Sequence, residues 1–319
     1  MLFRSEGLKP LKKQETVPAV PERRRLFPAS RKTAVRSVAA LLALLTVGLV
    51  VAVRTIPEFI LYRERLVFNL LEINSDIELK PLDIKTHDGL TLRSWYHRPA
   101  EGKPVIVYFP GRLEDLIRRP AHLFHLAEQG YGLTLAGYRG YGGNPGYPSE
   151  HLLYRDGTAL LTKLTHEGLA PDGIVLYGYS MGTGIASYVA TATRPRALIL
   201  EAPFTSFPDA VRQQAPSVPI WLVRSRFDTR SRISNIDAPI LLLAGEQDRI
   251  TPPDFAKALA ALSQGVAKLE ILPEANHVNM ARRGALEAVS SFLVSIAGGG
   301  VEHAAAQQDP DVLPAVMEN

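Results

Sequence analysis

Cysteine is absent from this chain of 319 residues, and its absence excludes three kinds of chemistry. No disulfide can form, no thiolate can act as a nucleophile, and no metal can be held by cysteine sulfur. No grouping of His, Asp and Glu has the spacing of a metal site either. The glycine-rich string YRGYGG at 138–143 is not a dinucleotide fingerprint, because prolines follow it instead of a helix start. We therefore expect no metal and no other cofactor.

A basic surface is also missing from most of the chain, although the total charge is +4. Residues 1–37 contain ten Lys and Arg against three Asp and Glu, which leaves 26 against 29 for the rest. A domain that binds nucleic acid needs a basic surface of its own to contact phosphates. The composition therefore argues against nucleic acid as a partner. Residues 1–37 are rich in proline and positive charge, which predicts a disordered cytoplasmic tail.

Long apolar runs are scarce, and the prominent one lies at 38–53 (VAALLALLTVGLVVAV). Its length falls short of the ~20 residues that span a bilayer, but flanking residues can extend it. We interpret 38–55 as a single transmembrane anchor, with a cleaved signal peptide or a buried core helix as alternatives. The Lys and Arg excess before it predicts a cytoplasmic N-terminus and an extracytoplasmic, periplasmic location for the rest. Residues 56–75 predict a connector, for which an interfacial amphipathic helix is one interpretation.

Short apolar runs alternate with helical windows from residue 76 onward. A hairpin is predicted at 77–96, and the runs PVIVYF, IVLY and PILLLA are typical of strands buried on both faces. Such alternation predicts an α/β fold over 76–297, with a mostly parallel sheet and helices on both faces. Residues 203–237 predict an irregular insertion in a position suited to a lid. Residues 298–319 predict a disordered tail. We find no internal repeat.

The string GYSMG at 178–182 lies between an apolar run and a window of small, helix-compatible residues. This context predicts a strand, a sharp turn and a helix, with Ser180 at the apex of the turn. A serine hydroxyl becomes a nucleophile when it is held beside a base and near backbone N–H groups. Gly178 and Gly182 suit the arrangement, because they let the strand and the helix pass close to a strained residue. The alternative is an ordinary glycine-rich turn.

A base and an acid for this serine are expected after it in the chain. Only two of the eight histidines follow Ser180, and His277 lies within the predicted domain whereas His303 lies in the predicted tail. Asp248 follows the run PILLLA, where sites collect in open α/β sheets. Glu246 and Glu201 are the alternative acids. We predict Ser180 as nucleophile, His277 as general base and Asp248 as the carboxylate that orients it.

Several motifs occur together in this order: YFPGR at 108–112, YRGYGGNPGYPSE at 138–150, GYSMG at 178–182, EAPFTS at 201–206, and the loops of Asp248 and His277. With them, residues 76–297 resemble the membrane-anchored α/β-hydrolases of the Bem46 group and its ABHD13-, ABHD12- and ABHD17-like relatives. The resemblance implies an α/β-hydrolase fold and serine hydrolase activity.

The resemblance also assigns an oxyanion hole to the backbone N–H groups of Met181 and Arg112. This sequence departs from the family at two positions, where Pro110 replaces a usual His and Arg112 a usual Asn. Backbone donors do not depend on these side chains. We interpret the Arg112 guanidinium as a solvated loop side chain, with contact to an anionic substrate group as the alternative. Gly111, Tyr179 and Tyr141 are candidates to line the substrate site.

The predicted function is therefore a membrane-anchored serine hydrolase that cleaves ester or thioester bonds of acylated, lipid-like substrates. The anchor favours such substrates because it raises the local concentration of the enzyme at lipid. A serine peptidase or an esterase for small esters is the alternative within the same fold. A non-catalytic envelope protein that uses the fold for interactions is the alternative outside catalysis.

Overall fold

A computed structural model of the chain describes residues 31–62, 77–112 and 121–299. Disorder was predicted for residues 1–37 and 298–319. Of these, 1–30 and 300–319 lie outside the described ranges, as does the predicted connector beyond Tyr62. For residues 31–37 and 298–299 the prediction is wrong, because they belong to helices.

The N-terminal segment forms one continuous helix, α1 (Arg31–Tyr62). It begins seven residues before the predicted anchor and continues seven residues past it. Its apolar window Val35–Ala52 has a mean hydropathy of 2.3 and is not buried by other residues. A helix of this length extends about 48 Å, which exceeds the ~30 Å of a bilayer core. Within the described residues this is the one helix that fits a membrane anchor by length and composition.

Within the described residues, eight strands form a single sheet in the order β1-β2-β4-β3-β5-β6-β7-β8. The first two pair as the predicted antiparallel hairpin, β2 also runs antiparallel to β4, and all other neighbours are parallel. The strands are β1 (Lys80–Lys85), β2 (Thr91–His97), β3 (Val105–Phe109), β4 (Gly132–Leu135), β5 (Ile174–Tyr179), β6 (Ala197–Glu201), β7 (Ile240–Gly245) and β8 (Ala267–Leu272).

In the part of the chain that the structure describes, six helices connect or follow these strands and cover both faces of the sheet. They are α2 (Ala121–Glu128), α3 (Glu150–His166), α4 (Met181–Ala192), α5 (Phe207–Gln214), α6 (Pro253–Leu262) and α7 (Ala285–Gly299). Leucine and isoleucine side chains of α3, α4 and α6 enter one apolar core, and those of α2 and α7 enter the other. Every residue of β3, β5, β6 and β7 is buried. The predicted fold class is confirmed.

The insertion at 203–237 is more regular than the sequence predicted. It contains α5 and two 3-10 turns, Ile220–Leu222 and Ile233–Asn235. Ser206 caps α5, because its Oγ accepts the N–H of Asp209 at 3.2 Å. A helix of eight residues carries too little periodicity to be recognised, although Ser206 and Asp209 have the spacing of a capping box.

The parallel strands place their carboxyl ends at one edge of the sheet. Phe109 aligns with Gly178, Tyr179 with Glu201, and Gly245 with Leu272. Loops that follow β3, β5, β7 and β8 therefore meet at this edge, although they are far apart in sequence. We call it the carboxyl edge.

Candidate active site

Ser180 occupies the sharp turn between β5 and α4, at the carboxyl edge. Its φ of 49° lies in the left-handed region, which a residue with a side chain adopts only at a cost. Hydrogen bonds hold the turn from both sides: the Ser180 N–H donates to the carbonyl of Glu201 at 2.9 Å, and the Thr183 hydroxyl donates to the carbonyl of Ser180 at 2.6 Å. The predicted strand, turn and helix are therefore present.

Both glycines of the turn are required by the close approach of backbone. A Cβ on Gly178 would lie 2.5 Å from the carbonyl oxygen of Gly182. A Cβ on Gly182 would lie 1.9 Å from the carbonyl oxygen of Phe109. Since both obstacles are main-chain atoms, no rotation of a side chain relieves them. The two glycines therefore allow the close approach of strand and helix that was predicted for them.

The structure brings the three predicted catalytic side chains together in a line. His277 Nε2 lies 3.1 Å from Ser180 Oγ, and His277 Nδ1 lies 2.8 Å from Asp248 Oδ2. The residues come from the loops after β5, β7 and β8. One imidazole thus contacts a hydroxyl on one side and a carboxylate on the other, which is the arrangement that nucleophilic catalysis by serine requires.

Asp248 is held by four donors in a fully buried position. Its Oδ1 accepts the N–H groups of Ile250 and Thr251 at 2.8 and 2.9 Å, and its Oδ2 accepts the Thr251 hydroxyl at 2.8 Å as well as His277. Burial acts to raise the pKa of this carboxyl, but the hydrogen bonds and the charge of His277 outweigh it, so the pKa lies below its usual value. Asp248 is therefore a carboxylate at neutral pH.

Thr251 is a member of this site that the sequence analysis missed. Its hydroxyl lies 2.8 Å from Asp248 Oδ2 and 3.2 Å from His277 Nδ1. The available signal was the threonine three residues after an aspartate, a pattern in which side-chain oxygen atoms bond to nearby backbone N–H groups.

The loop that carries His277 is fixed by Tyr179, the residue before the serine. The Tyr179 hydroxyl donates to the carbonyl of His277 at 2.5 Å, and the two ring centroids lie 5.4 Å apart. Tyr179 was predicted to line the substrate site. Tyr179 is 5% exposed, and its hydroxyl contacts the loop that carries His277. Its contacts therefore position that loop.

The alternative acids lie elsewhere. Glu201 is buried at the end of β6, where it accepts the Tyr177 hydroxyl at 2.7 Å and lies 3.9 Å from His122 Nε2. Glu246 is exposed and accepts the N–H of Glu274 at 3.1 Å. Among the described contacts, His277 meets Asp248 and neither of these glutamates.

The turn Pro110-Gly111-Arg112 passes directly over the serine. A Cβ on Gly111 would lie 2.8 Å from the Tyr179 ring and 3.4 Å from Ser180 Cβ. Met181 opens α4, and the first N–H groups of a helix have no acceptor within the helix. The positive end of the helix dipole is thus at the nucleophile. Both backbone segments predicted to form the oxyanion hole therefore border Ser180.

The string YRGYGG at 138–143 packs against the turn Pro110-Gly111-Arg112. The buried Tyr138 hydroxyl donates to the carbonyl of Pro110 at 2.9 Å, and the Tyr141 ring packs edge-on against Tyr138 at 5.9 Å. Tyr141 was predicted to line the substrate site, and the structure places it 5% exposed in the core.

Arg139 is 1% exposed and joins two acids in this region. Its guanidinium donates to both carboxylate oxygens of Asp156 at 2.6 and 2.7 Å, and to those of Asp88 at 2.8 and 3.1 Å. Hydrogen bonds from Arg139 hold the pKa of Asp88 well below its usual range. This bridge ties the β1–β2 turn to α3.

A cleft of about 1020 Å³ lies at the opposite edge of the sheet, among residues that begin β1, end β2 and precede β3 and β5. None of the predicted site residues lines it. Its size alone does not make it the site, because the nucleophile, base and acid are all at the carboxyl edge.

Known proteins are similar to this chain in sequence and in fold. The family described as Serine aminopeptidase, S33 matches residues 100–229. The Mycobacterium tuberculosis protein Rv2307c is 31% identical over 221 residues, which cover 67% of this chain and 79% of that protein. Protein bem46 of Schizosaccharomyces pombe is 30% identical over 215 residues, which cover 63% of this chain and 72% of that protein.

A third relative and a solved structure extend the comparison. The lysophosphatidylserine lipase ABHD12 of Danio rerio is 28% identical over 197 residues, which cover 53% of this chain and 50% of that protein. The esterase Pf2001 of Pyrococcus furiosus superposes with a TM-score of 0.59 at 18% identity, covering 73% of this chain and 95% of the esterase. At that identity, the superposition shows the fold alone.

Proposed function

Because the chain belongs to the Bem46-like α/β-hydrolases and is a serine hydrolase of that type, we propose that it cleaves ester or thioester bonds of acylated, lipid-like substrates at a membrane. One observation carries the catalytic part of this proposal: His277 bonds Ser180 Oγ at 3.1 Å through one nitrogen and Asp248 Oδ2 at 2.8 Å through the other. Each residue then has one role.

Acylation starts at the serine hydroxyl. Ser180 Oγ attacks the acyl carbonyl carbon while His277 Nε2 takes the hydroxyl proton, and Asp248 stabilises the resulting imidazolium. The carbonyl oxygen becomes an oxyanion that accepts the N–H groups of Met181 and Arg112. Each such donor contributes on the order of 3 kcal/mol to transition-state stabilisation. The tetrahedral intermediate expels the alcohol or thiol, which receives the proton from His277.

Deacylation repeats these steps with water. His277 removes a proton from a water molecule while the water oxygen attacks the acyl carbon. The second tetrahedral intermediate then collapses and releases the carboxylic acid. The proton returns to Ser180 Oγ. The products are one acid and one alcohol or thiol, with no cofactor consumed.

Two findings support a lipid-like substrate. Helix α1 fits a membrane anchor, which concentrates the enzyme at lipid. The relative from Danio rerio is a lysophosphatidylserine lipase by name. We further propose a cytoplasmic N-terminus and an extracytoplasmic hydrolase domain, because the Lys and Arg excess precedes the apolar run. A reporter fused after Glu318 that is active in the cytoplasm would contradict this orientation.

A peptidase is the second candidate, because the matched family is described as a serine aminopeptidase. The same residues would then expel an amine. A panel of acyl esters, acyl thioesters and aminoacyl amides separates the two candidates. We expect esters or thioesters of long chains to react fastest, and preferential cleavage of amides would favour the peptidase.

A fluorophosphonate probe tests the mechanism, since it reacts with activated serines. We expect the full-length protein to be labelled and Ser180→Ala to lose the label. Ser187→Ala is the matched control, because Ser187 is buried in α4, the helix that follows Ser180, and donates to the carbonyl of Gly184. Folded protein that is not labelled, or labelling that persists in Ser180→Ala, would refute the assignment.

A further inference from the structure

Four loops that leave the carboxyl edge carry exposed large apolar side chains. Tyr147 is 75% exposed, Trp221 69%, Val278 58% and Ile250 44%. Each lies on a different loop, after β4, β6, β8 and β7 respectively. These strands are parallel, so all four loops leave the carboxyl edge, where Ser180 lies. We call these four residues the apolar rim.

Hydrogen bonds connect the loops that carry the rim. The amide of Gln214, in the insertion, donates to the carbonyls of Arg249 and Ile250 at 2.5 and 3.3 Å. On the other side of the insertion, Glu150 accepts the N–H groups of Arg226 and Phe227 at 2.5 and 2.8 Å. Val278 follows the catalytic histidine directly. The rim is therefore carried by loops that are fastened to one another.

Arginines accompany the rim. Arg224, Arg226 and Arg249 are exposed on the same loops, and none forms an ion pair with another residue that the structure describes. By contrast, Arg212 and Arg230 both pair with Asp209, and Arg283 pairs with Glu274. Asp228 and Glu246 lie on the same loops; they accept the backbone N–H groups of Ser231 and Glu274 and form no ion pair with these arginines among the described residues. The surface therefore combines exposed apolar side chains with arginines that form no ion pair in the part of the chain that the structure describes.

We propose that the apolar rim and these three arginines dock the mouth of the active site on an anionic phospholipid surface. Tyrosine and tryptophan favour the boundary between lipid and water, and arginines near it are attracted to anionic head groups. A second copy of the chain fits less well, because a two-fold contact through this surface would bring both sets of three arginines into one interface. The proposal goes beyond the proposed function, since it concerns how the site meets lipid and not which bond is cleaved.

The two tryptophans of the chain provide the test. In the full-length Trp95→Phe variant, Trp221 is the only fluorophore of this type. The protein is placed in nanodiscs whose lipids carry brominated acyl chains, which quench tryptophan on contact. We expect Trp221 to be quenched at least about threefold more in discs with anionic phosphatidylglycerol than in neutral discs, and salt to reduce the difference. In the matched Trp221→Phe variant the fluorescence comes from Trp95, in β2. This fluorescence should not be quenched by the brominated lipid.

Charge-matched variants test the arginines. Arg224→Ala/Arg226→Ala/Arg249→Ala should remove most of the anionic dependence. Lys80→Ala/Arg98→Ala/Lys103→Ala loses the same charge at the opposite edge of the sheet and should retain it. Equal quenching in neutral and anionic discs, no quenching of Trp221, or a Trp221 environment that changes with protein concentration without lipid would each overturn the proposal. The readout needs no hydrolysis, so a failed catalytic assignment is seen separately.

Discussion

The substitution Asp248→Asn tests the proposed acid with almost no change in shape. Asp248 Oδ1 accepts two backbone N–H groups, from Ile250 and Thr251, and Oδ2 faces His277 Nδ1 at 2.8 Å. An asparagine must place its oxygen at Oδ1, because its NH₂ cannot bond to two further donors. The NH₂ then faces His277.

This orientation makes the histidine unable to act as a base. Nδ1 has to accept the asparagine N–H, so the ring proton moves to Nε2, the atom that should take the proton of Ser180. The wrong tautomer of a catalytic histidine costs about 10⁴ in kcat. That factor corresponds to about 5.4 kcal/mol in the activation free energy. Stability should change little, because Thr251 can rotate its hydroxyl to accept the new donor.

The assay is the rate of ester hydrolysis, together with the rate of fluorophosphonate labelling, for full-length Asp248→Asn. Glu201→Gln is the matched control, because it neutralises the other buried acid at the same edge of the sheet. We expect Glu201→Gln to keep activity within about tenfold, with any loss reflecting the bond from Tyr177. An Asp248→Asn enzyme within tenfold of the wild type, beside an inactive Glu201→Gln, would refute the assignment of the acid.

Three further predictions concern the supports of the site. Gly182→Ala should lower the rate of fluorophosphonate labelling about a hundredfold or more, because its Cβ would lie 1.9 Å from a main-chain oxygen. The control Gly157→Ala, in α3, should retain labelling, because its Cβ would lie 3.0 Å from a side chain. Tyr138→Phe leaves the buried Pro110 carbonyl without its donor, so we expect kcat to fall more than KM and unfolding by urea to become easier by about 1–3 kcal/mol. Because the pKa of Asp88 is lowered in the folded protein, its carboxylate stabilises the fold at pH values above its usual pKa of 3.8, and this contribution is lost as the pH falls. In Asp88→Asn, the free energy of unfolding in urea should therefore decline less steeply below about pH 4.

The sheet and the site could be predicted largely from local patterns. Continuous apolar runs mark β3, β5 and β7, and parallel strands place the loops after them at one edge. The order Ser180, Asp248, His277 then follows from the chain. These features depend on short windows of sequence and on topology, and both can be read without coordinates.

Other features depend on contacts between distant residues, which no local pattern reveals. Arg139 is buried because Asp88 and Asp156, 51 and 17 residues away, surround it. Helix α5 is too short for a clear period and is supported by Arg230, which binds Asp209 from 21 residues further along. Tyr141 was expected at the substrate site for its position in a glycine-rich loop, but its ring packs on Tyr138. The roles of Met181 and Arg112 stay predictions.

The serine turn concentrates conformational energy in a few atoms that β3, β6 and α4 hold in place. We expect Ser180 to leave its left-handed conformation when one of these neighbours moves away, before the sheet unfolds. On gradual heating or with added denaturant, such a protein should pass through a compact but chemically silent state. Loss of activity should then precede any spectroscopic change. Cooling should restore the activity without refolding of the core.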